Sequence, residues 1–261
     1  MKKIFIHIGC HKTGSTSIQH FLYKNKHIFL KNNIYIPKGR NPFDYTTNHS
    51  NIAWEIYNKE NFDKKNKKQS YFKKFITEIK KKKKNILISS ENFSFLIHSP
   101  QKLKNFTKIL KKNKFMPIFI CYIRNDSTYA YSLYSELRKN RKKLKLENVF
   151  TYTYQILNNG YYKTNVSYWG TWVFYFNYKK FISLWKNYSK CKISVIDYSK
   201  NKNDIFLPLI ECLKIKKLRY KLKYPSIFFN VTNNKFWHLH KLFYRIYFYF
   251  LGRKIYNKYK F

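Results

Sequence analysis

The chain has 261 residues, with 54 Lys or Arg against 12 Asp or Glu, a formal net charge of +42, and a composition that is 44% apolar and 21% aromatic. That apolar share excludes a disordered tail, and the length suits a single domain over 1–261 with a sizeable core. No run of about 18 apolar residues occurs, so no membrane-spanning helix is expected.

The first predicted element is a buried strand over Ile4–Ile8, a short β-branched and aromatic run. Met1-Lys2-Lys3 precedes it, but His11 and Lys12 follow with no small-residue cleavage site, so a strand is expected rather than a signal peptide. Gly9 to Gly14 read as a loop. Ser15–Leu30 reads as a helix with Ile18, Phe21, Leu22, Ile28 and Phe29 on one side. Residues 37–50, with Pro37, Gly39 and Pro42, read as irregular. Helices are expected at 51–58 and 70–80, separated by a solvated Lys/Asn run at 59–69. The five lysines Lys80–Lys84 mark a helix end, where cations suit the negative pole. Ile86–Ser90 reads as a second buried strand, 101–113 as a helix and Met116–Ile123 as a third strand. Asp126 or Ser127 is expected to cap a helix that runs to about Lys139. After a basic stretch at 137–146 come expected helices at 147–158 and 174–187, a fourth strand at Ile193–Ile196, and a helix at about 203–213.

Strands spaced by helices predict an α/β fold of three layers, a parallel sheet flanked by helices. Ligands of such sheets sit beyond the carboxyl ends of the strands. Three strand ends carry polar clusters, at 9–17, 89–92 and 124–126. The first reads Gly-Cys-His-Lys-Thr-Gly-Ser-Thr-Ser and holds two of the six glycines. Glycines at a strand-to-helix turn let backbone amides and the helix dipole face an anion. Lys12 adds a point charge, and Ser15, Thr16 and Ser17 add hydroxyls. A Walker A loop needs Gly-Lys-Ser/Thr after its second glycine, whereas here Lys12 precedes Gly14. No acid follows a strand in the Walker B manner, so an ATP-dependent kinase with a variant P-loop is a disfavoured alternative.

The run Ile6 to Gln19, IHIGCHKTGSTSIQ, resembles the 5′-phosphosulfate loop of sulfotransferases that use 3′-phosphoadenosine 5′-phosphosulfate (PAPS), and is most similar to their bacterial branch. Ser15 replaces the more usual threonine and keeps the hydroxyl. The resemblance implies a P-loop-NTPase-like sulfotransferase fold. It further implies that Lys12 contacts the bridging oxygen and the transferring sulfuryl group, that Thr13, Gly14, Ser15, Thr16 and Ser17 bind the 5′-phosphate, and that His11 lies near the sulfuryl group. The family reads the 3′-phosphate with an Arg at the end of a later strand and a Ser eight positions on. Arg124 and Ser132 stand at that spacing. An Arg fork suits phosphate oxygens.

Transfer to an acceptor hydroxyl needs a base. Glu91, after the second strand, is the first candidate, and Ser89-Ser90-Glu91 resembles the segment found there in bacterial relatives. His49 in Asn48-His49-Ser50 is the second, as base or acceptor ligand. The resemblance, with Glu91, implies a carbohydrate or other hydroxyl-bearing acceptor and release of adenosine 3′,5′-bisphosphate, without a metal.

The four cysteines, Cys10, Cys121, Cys191 and Cys212, lack metal-ligand or disulfide spacing, so reduced thiols in a cytoplasmic protein are expected. A nucleic-acid binder driven by net charge is the remaining alternative, and no nucleic-acid-binding motif supports a specific one. Lys, Asn, Ile, Phe and Tyr have AT-rich codons and are all over-used, which makes much of the charge a solvated, compositionally biased surface. A basic aromatic extension is expected at about 216–261. Its part Phe236–Tyr259 reads either as a helix packed on the domain or as one lying on an anionic membrane, at the inner face of the cell membrane.

Overall fold

The structure, a computed structural model, describes residues 1–38, 48–57, 70–139, 149–166, 170–201, 204–215, 222–223 and 238–259. The expected run at 59–69 and most of the irregular, basic and 216–237 segments lie outside these residues.

β1 (Lys2–His7) forms because Ile4, Phe5 and Ile6 favour an extended chain and bury on both sides of it. Gly14 then starts α1 (Ser15–Lys24). The single expected helix over 15–30 is two, α1 and α2 (Lys26–Lys31). The break is at buried Asn25, whose amide donates to Phe21 O at 2.8 Å and to Lys223 O at 2.9 Å and accepts Lys223 N at 2.8 Å. A side chain that clamps a distant segment in this way competes with the helix ladder.

A two-residue strand follows that no pattern announced, β2 (Ile34–Tyr35). Next come α3 (Ser50–Tyr57) and α4 (Tyr71–Lys80), which ends where the lysine run begins. β3 (Asn85–Ser89) leads into a 3-10 helix over Glu91–His98 and then α5 (Pro100–Lys112). β4 (Phe115–Ile123) leads into α6 (Asp126–Lys139). The residue before α6 is Asn125, and Ser127 Oγ donates to its side chain at 2.7 Å, so neither Asp126 nor Ser127 holds the cap position.

After α7 (Val149–Asn159) the expectation of a helix from 174 fails. Gly160, at φ 72°, turns the chain into a hairpin of β5 (Tyr161–Val166) and β6 (Gly170–Tyr175). Aromatic and β-branched residues pair across it, Tyr162 with Phe174 and Thr164 with Trp172. Only then does α8 (Tyr178–Ser189) begin, capped by Asn177, which accepts Lys180 N at 2.9 Å. β7 (Lys192–Asp197) closes the sheet. α9 (Leu207–Cys212) is shorter than expected because the Asp204 carboxylate takes the amides of Phe206 and Leu207 at 2.9 and 3.0 Å. α10 (His238–Tyr259) ends the described chain.

The sheet has five parallel strands in the order β2-β3-β1-β4-β7. Alternation along β1 divides the core. Ile4, Ile6 and Ile8 face a cluster with α3, α4, α5, α6 and α8, while Phe5 faces one with α1, α2 and α9. The fold is therefore α/β, a five-stranded parallel sheet flanked by helices. After β1 the chain turns toward β2 and β3, and after β4 it turns the other way, toward β7. The crevice between the ends of β1 and β4 is thus the switch point where ligands of open parallel sheets bind. All four cysteines are free thiols. Among the described residues no helix is long and apolar enough to cross a membrane. α10 packs on the molecule by one face, with Phe248 against Tyr131, Tyr134 and Tyr152 and with Leu251 and Ile255 buried.

Candidate active site

Beyond His7 the chain stays zipped to β4 for three more residues, through Ile8 N to Ile120 O at 2.9 Å and Cys10 N to Tyr122 O at 3.2 Å. It then turns sharply, with Lys12 at φ 63° and Gly14 at φ 81°. Gly14 is needed twice over. Its backbone is left-handed, and a Cβ there would lie 2.9 Å from Ile205 Cδ1 and 3.1 Å from Tyr198 Cε2. Gly9 is also tight, since its Cβ would come 2.9 Å from Ser15 Oγ. The Thr13 hydroxyl is turned inward and donates to Cys10 O, which closes the loop. No capping side chain covers the first amides of α1. The Ser15 Oγ at this helix start is buried with no hydrogen-bond partner among the described residues. Ser17 is buried and Thr16 half-buried on the same turn. A helix start that lacks its own cap and carries a buried spare hydroxyl is built for an anion.

Arg124 is anchored to this loop. Its Nη1 donates to Lys12 O at 2.9 Å, its Nε donates to Thr128 Oγ1 at 3.2 Å, and the guanidinium stacks 5.3 Å above the Tyr198 ring. These bonds occupy part of a five-donor fork. Burial pulls the Arg124 pKa down, with Tyr198, Tyr178 and Tyr129 opposing the shift. An arriving anion would restore the solvation this cation has lost. Ser132 stands between Thr128 and Glu136 at four-residue intervals along α6, so the three share a face of the helix. One end of that stripe bonds Arg124 and the other bonds Lys12, whose Nζ lies 3.4 Å from Glu136 Oε2. This places half-buried Ser132 alongside the loop, between the two cations.

The β3 end joins the same rim. Gln19, one turn into α1 and buried, donates its amide to Glu91 Oε2 at 3.1 Å. Ser90 N donates to His7 O at 3.0 Å, and His7 Nδ1 lies 2.8 Å from Ser89 Oγ. His7 is wholly buried, and desolvation lowers its pKa to about 4, so the ring is neutral at pH 7. His49 is buried against the same strand. Its Nδ1 is 3.2 Å from Ser89 N and 3.3 Å from Ser89 O. The Ser89 N–H can only donate, so the ring nitrogen is its acceptor. The hydrogen-bond pattern therefore assigns the proton of the neutral ring to Nε2.

His11 turns toward the hairpin. Its ring stacks on Phe95 at 5.1 Å and Trp172 at 6.2 Å and meets Phe174 edge-on at 5.2 Å. Desolvation lowers its pKa, and Glu91, Lys12 and Glu136 all act on it electrostatically. One imidazole thus feels both carboxylates of the rim and the lysine between them. The His11 Nε2 and Trp172 Nε1 atoms are buried with no hydrogen-bond partner among the described residues.

The loop residues 11–17 with His49, Glu91, Arg124 and Ser132 thus gather beyond the carboxyl ends of the inner strands of the sheet. Sequence reasoning missed Glu136, Gln19 and Trp172. The first two carried a signal, since Glu136 is one turn beyond Ser132 and Gln19 one turn beyond Ser15. Trp172 carried none, because no element is expected at 159–173 and the expected helix begins only at 174. No known protein family, curated protein or solved structure matches the chain.

Proposed function

We propose that the protein is a sulfotransferase that moves a sulfuryl group from PAPS to an acceptor hydroxyl, on a carbohydrate or similar molecule, within a P-loop-like variant of the α/β fold. The observation that carries this reading is the hydrogen bond at 2.9 Å from Arg124 Nη1 to Lys12 O. It couples two cations, each at a different strand end, on one crevice. A donor with phosphates at both its 3′ and 5′ positions asks for such a pair, and a simple nucleoside diphosphate does not.

The residues fit the donor. The uncapped start of α1 and the unpartnered Ser15 hydroxyl suit the 5′-phosphate, with the amides of Thr13 to Ser17 around it. The spare donors of Arg124 and the Ser132 hydroxyl suit the 3′-phosphate. In the reaction the acceptor oxygen bonds to sulfur while the bond from sulfur to the bridging phosphate oxygen breaks. The acceptor proton passes to a base, and adenosine 3′,5′-bisphosphate leaves. The transition state is loose, as in phosphoryl transfer, so positioning and charge stabilisation supply most of the catalysis. Lys12 offsets charge on the leaving phosphate oxygen. Glu91 is the base, oriented by the Gln19 amide. His49 is the weaker candidate, since its Nε2 already holds a proton, and it serves as a donor to the acceptor or to the sulfuryl oxygens. His11, in its aromatic setting, contributes a neutral wall beside Lys12.

Isothermal titration calorimetry with adenosine 3′,5′-bisphosphate and with ADP tests this reading. The bisphosphate should bind at least about ten-fold tighter, a difference of about 1.4 kcal/mol. Equal affinity for the two, or no binding of the bisphosphate, would overturn it.

A further inference from the structure

Half of the exposed large apolar side chains among the described residues lie on two neighbouring helices. Phe150 and Tyr154 on α7 are 71% and 69% exposed, and Ile246, Tyr249 and Phe250 on α10 are 49–57% exposed. The two groups adjoin. The Phe150 ring is 6.4 Å from that of Tyr247, whose hydroxyl donates to Thr153 Oγ1 at 2.9 Å. On α10 the spacing separates two faces. Phe248, Leu251 and Ile255 are buried, while Ile246, Tyr249, Phe250 and Arg253 look outward. Arg253 lies 4.9 Å above the Tyr249 ring, and Lys254 and Lys258 are exposed beside it. Neither 149–159 nor 238–259 contains an acid.

We infer that this face docks on an anionic lipid surface. An outward aromatic and aliphatic stripe that leads into cations is what an interfacial helix needs. Apolar tips enter the acyl boundary, tyrosines sit at headgroup level, and Lys and Arg meet anionic headgroups. A patch of this kind on a soluble face calls for a partner. Charge selects which one. A second copy would bring two strongly cationic surfaces together, whereas an anionic bilayer is attracted. Single-stranded nucleic acid would use the rings and the cations but not Ile246. The packing of Phe248, Leu251 and Ile255 holds the stripe in place, so binding requires no refolding of α10. The inference stands on the exposed helices alone and does not depend on the donor chemistry.

Co-sedimentation of the full chain with vesicles tests it, using phosphatidylcholine alone and mixed with phosphatidylglycerol, at physiological and at raised salt. Three proteins are compared: the wild type and two variants, Phe150→Ser/Tyr154→Ser/Phe250→Ser, which keeps the charge, and Arg253→Glu/Lys254→Glu. All three should share one unfolding midpoint, because the altered side chains are exposed. The wild type should bind the anionic vesicles at both salt levels. The apolar triple variant should lose roughly ten-fold or more of its partitioning at raised salt, where surface charge is screened. The charge variant should lose most at physiological salt. Failure of the wild type to bind anionic vesicles would overturn the inference. So would a triple variant that partitions like the wild type, since attraction would then be diffuse charge. A triple variant that loses poly(U) binding but keeps vesicle binding would overturn it too, and would assign the patch to nucleic acid.

Discussion

The two halves of the crevice are built from different materials. On the β1/β4 side are an uncapped helix start, a lysine and a half-buried arginine tied together through backbone. On the β3 side are a carboxylate held by a neutral amide and two buried imidazoles folded onto Ser89. One half is suited to negative charge, and the other presents a carboxylate that forms no ion pair among the described residues. Glu136 shows the contrast within one residue type. It pairs with Lys12, whereas Glu91, among the described residues, accepts a hydrogen bond from the Gln19 amide. The Lys12 ammonium competes with an acceptor hydroxyl for the Glu136 carboxylate, so the geometry favours Glu91 for the proposed role of base.

The largest effect expected is on the anion side. Lys12→Ala should lower turnover on the order of 10²–10³-fold, read as single-turnover sulfuryl transfer, with bisphosphate affinity less affected. Next comes the opposite half. Glu91→Gln keeps the shape and the Gln19 contact region but removes the proposed base, so a loss of about 10²–10³ in kcat with little change in bisphosphate Kd is expected. If Glu136→Gln produced that loss and Glu91→Gln did not, the assignment of the two carboxylates would be reversed. Arg124→Ala should weaken adenosine 3′,5′-bisphosphate by roughly 30-fold, about 2 kcal/mol, and ADP far less, as calorimetry would show.

His7 spans the two halves and adds a pH dependence to stability beside those of His98, also lowered to about 4 by burial, and of His11, lowered by burial. The His7 folded pKa of about 4 lies below the ordinary 6.5 because burial disfavours the charged ring. Between these values the unfolded chain binds the proton and the folded one does not, so stability is full above pH 6.5 and falls as pH drops toward 4. Urea unfolding should show a loss of about 2 kcal/mol from this group between about pH 7 and pH 5, and His7→Gln should remove that share of the slope while the shares of His98 and His11 remain. The smallest effect is at Glu136. Its pair with Lys12 is partly exposed, so Glu136→Gln, by removing an internal competitor for the lysine, should tighten bisphosphate binding by no more than about five-fold.

Much of the fold was legible in the chain. The four longer sheet strands are short apolar runs ending in Gly9, Ser90, Arg124 or Asp197, and that local pattern suffices for a buried parallel strand. The turn between β1 and α1 was legible for the same reason, since glycine spacing acts within a few residues. What escaped depended on partners far away. β2 is too short to have a period. Asn25 breaks a helix by clamping residue 223, and the aromatic run Trp172 to Tyr175 looks as helical as it looks extended until Tyr161 and Tyr162 pair with it.

The sequence by itself thus determined the alternation of strands and helices, the left-handed loop at Gly14 and the residue types available for chemistry. Only the tertiary structure decided how the few acids were shared out. Parallel crossovers bring positions 12, 91, 124 and 136 to one rim, and it is packing there, rather than any local preference, that gives Glu136 to the lysine and leaves Glu91 to an amide.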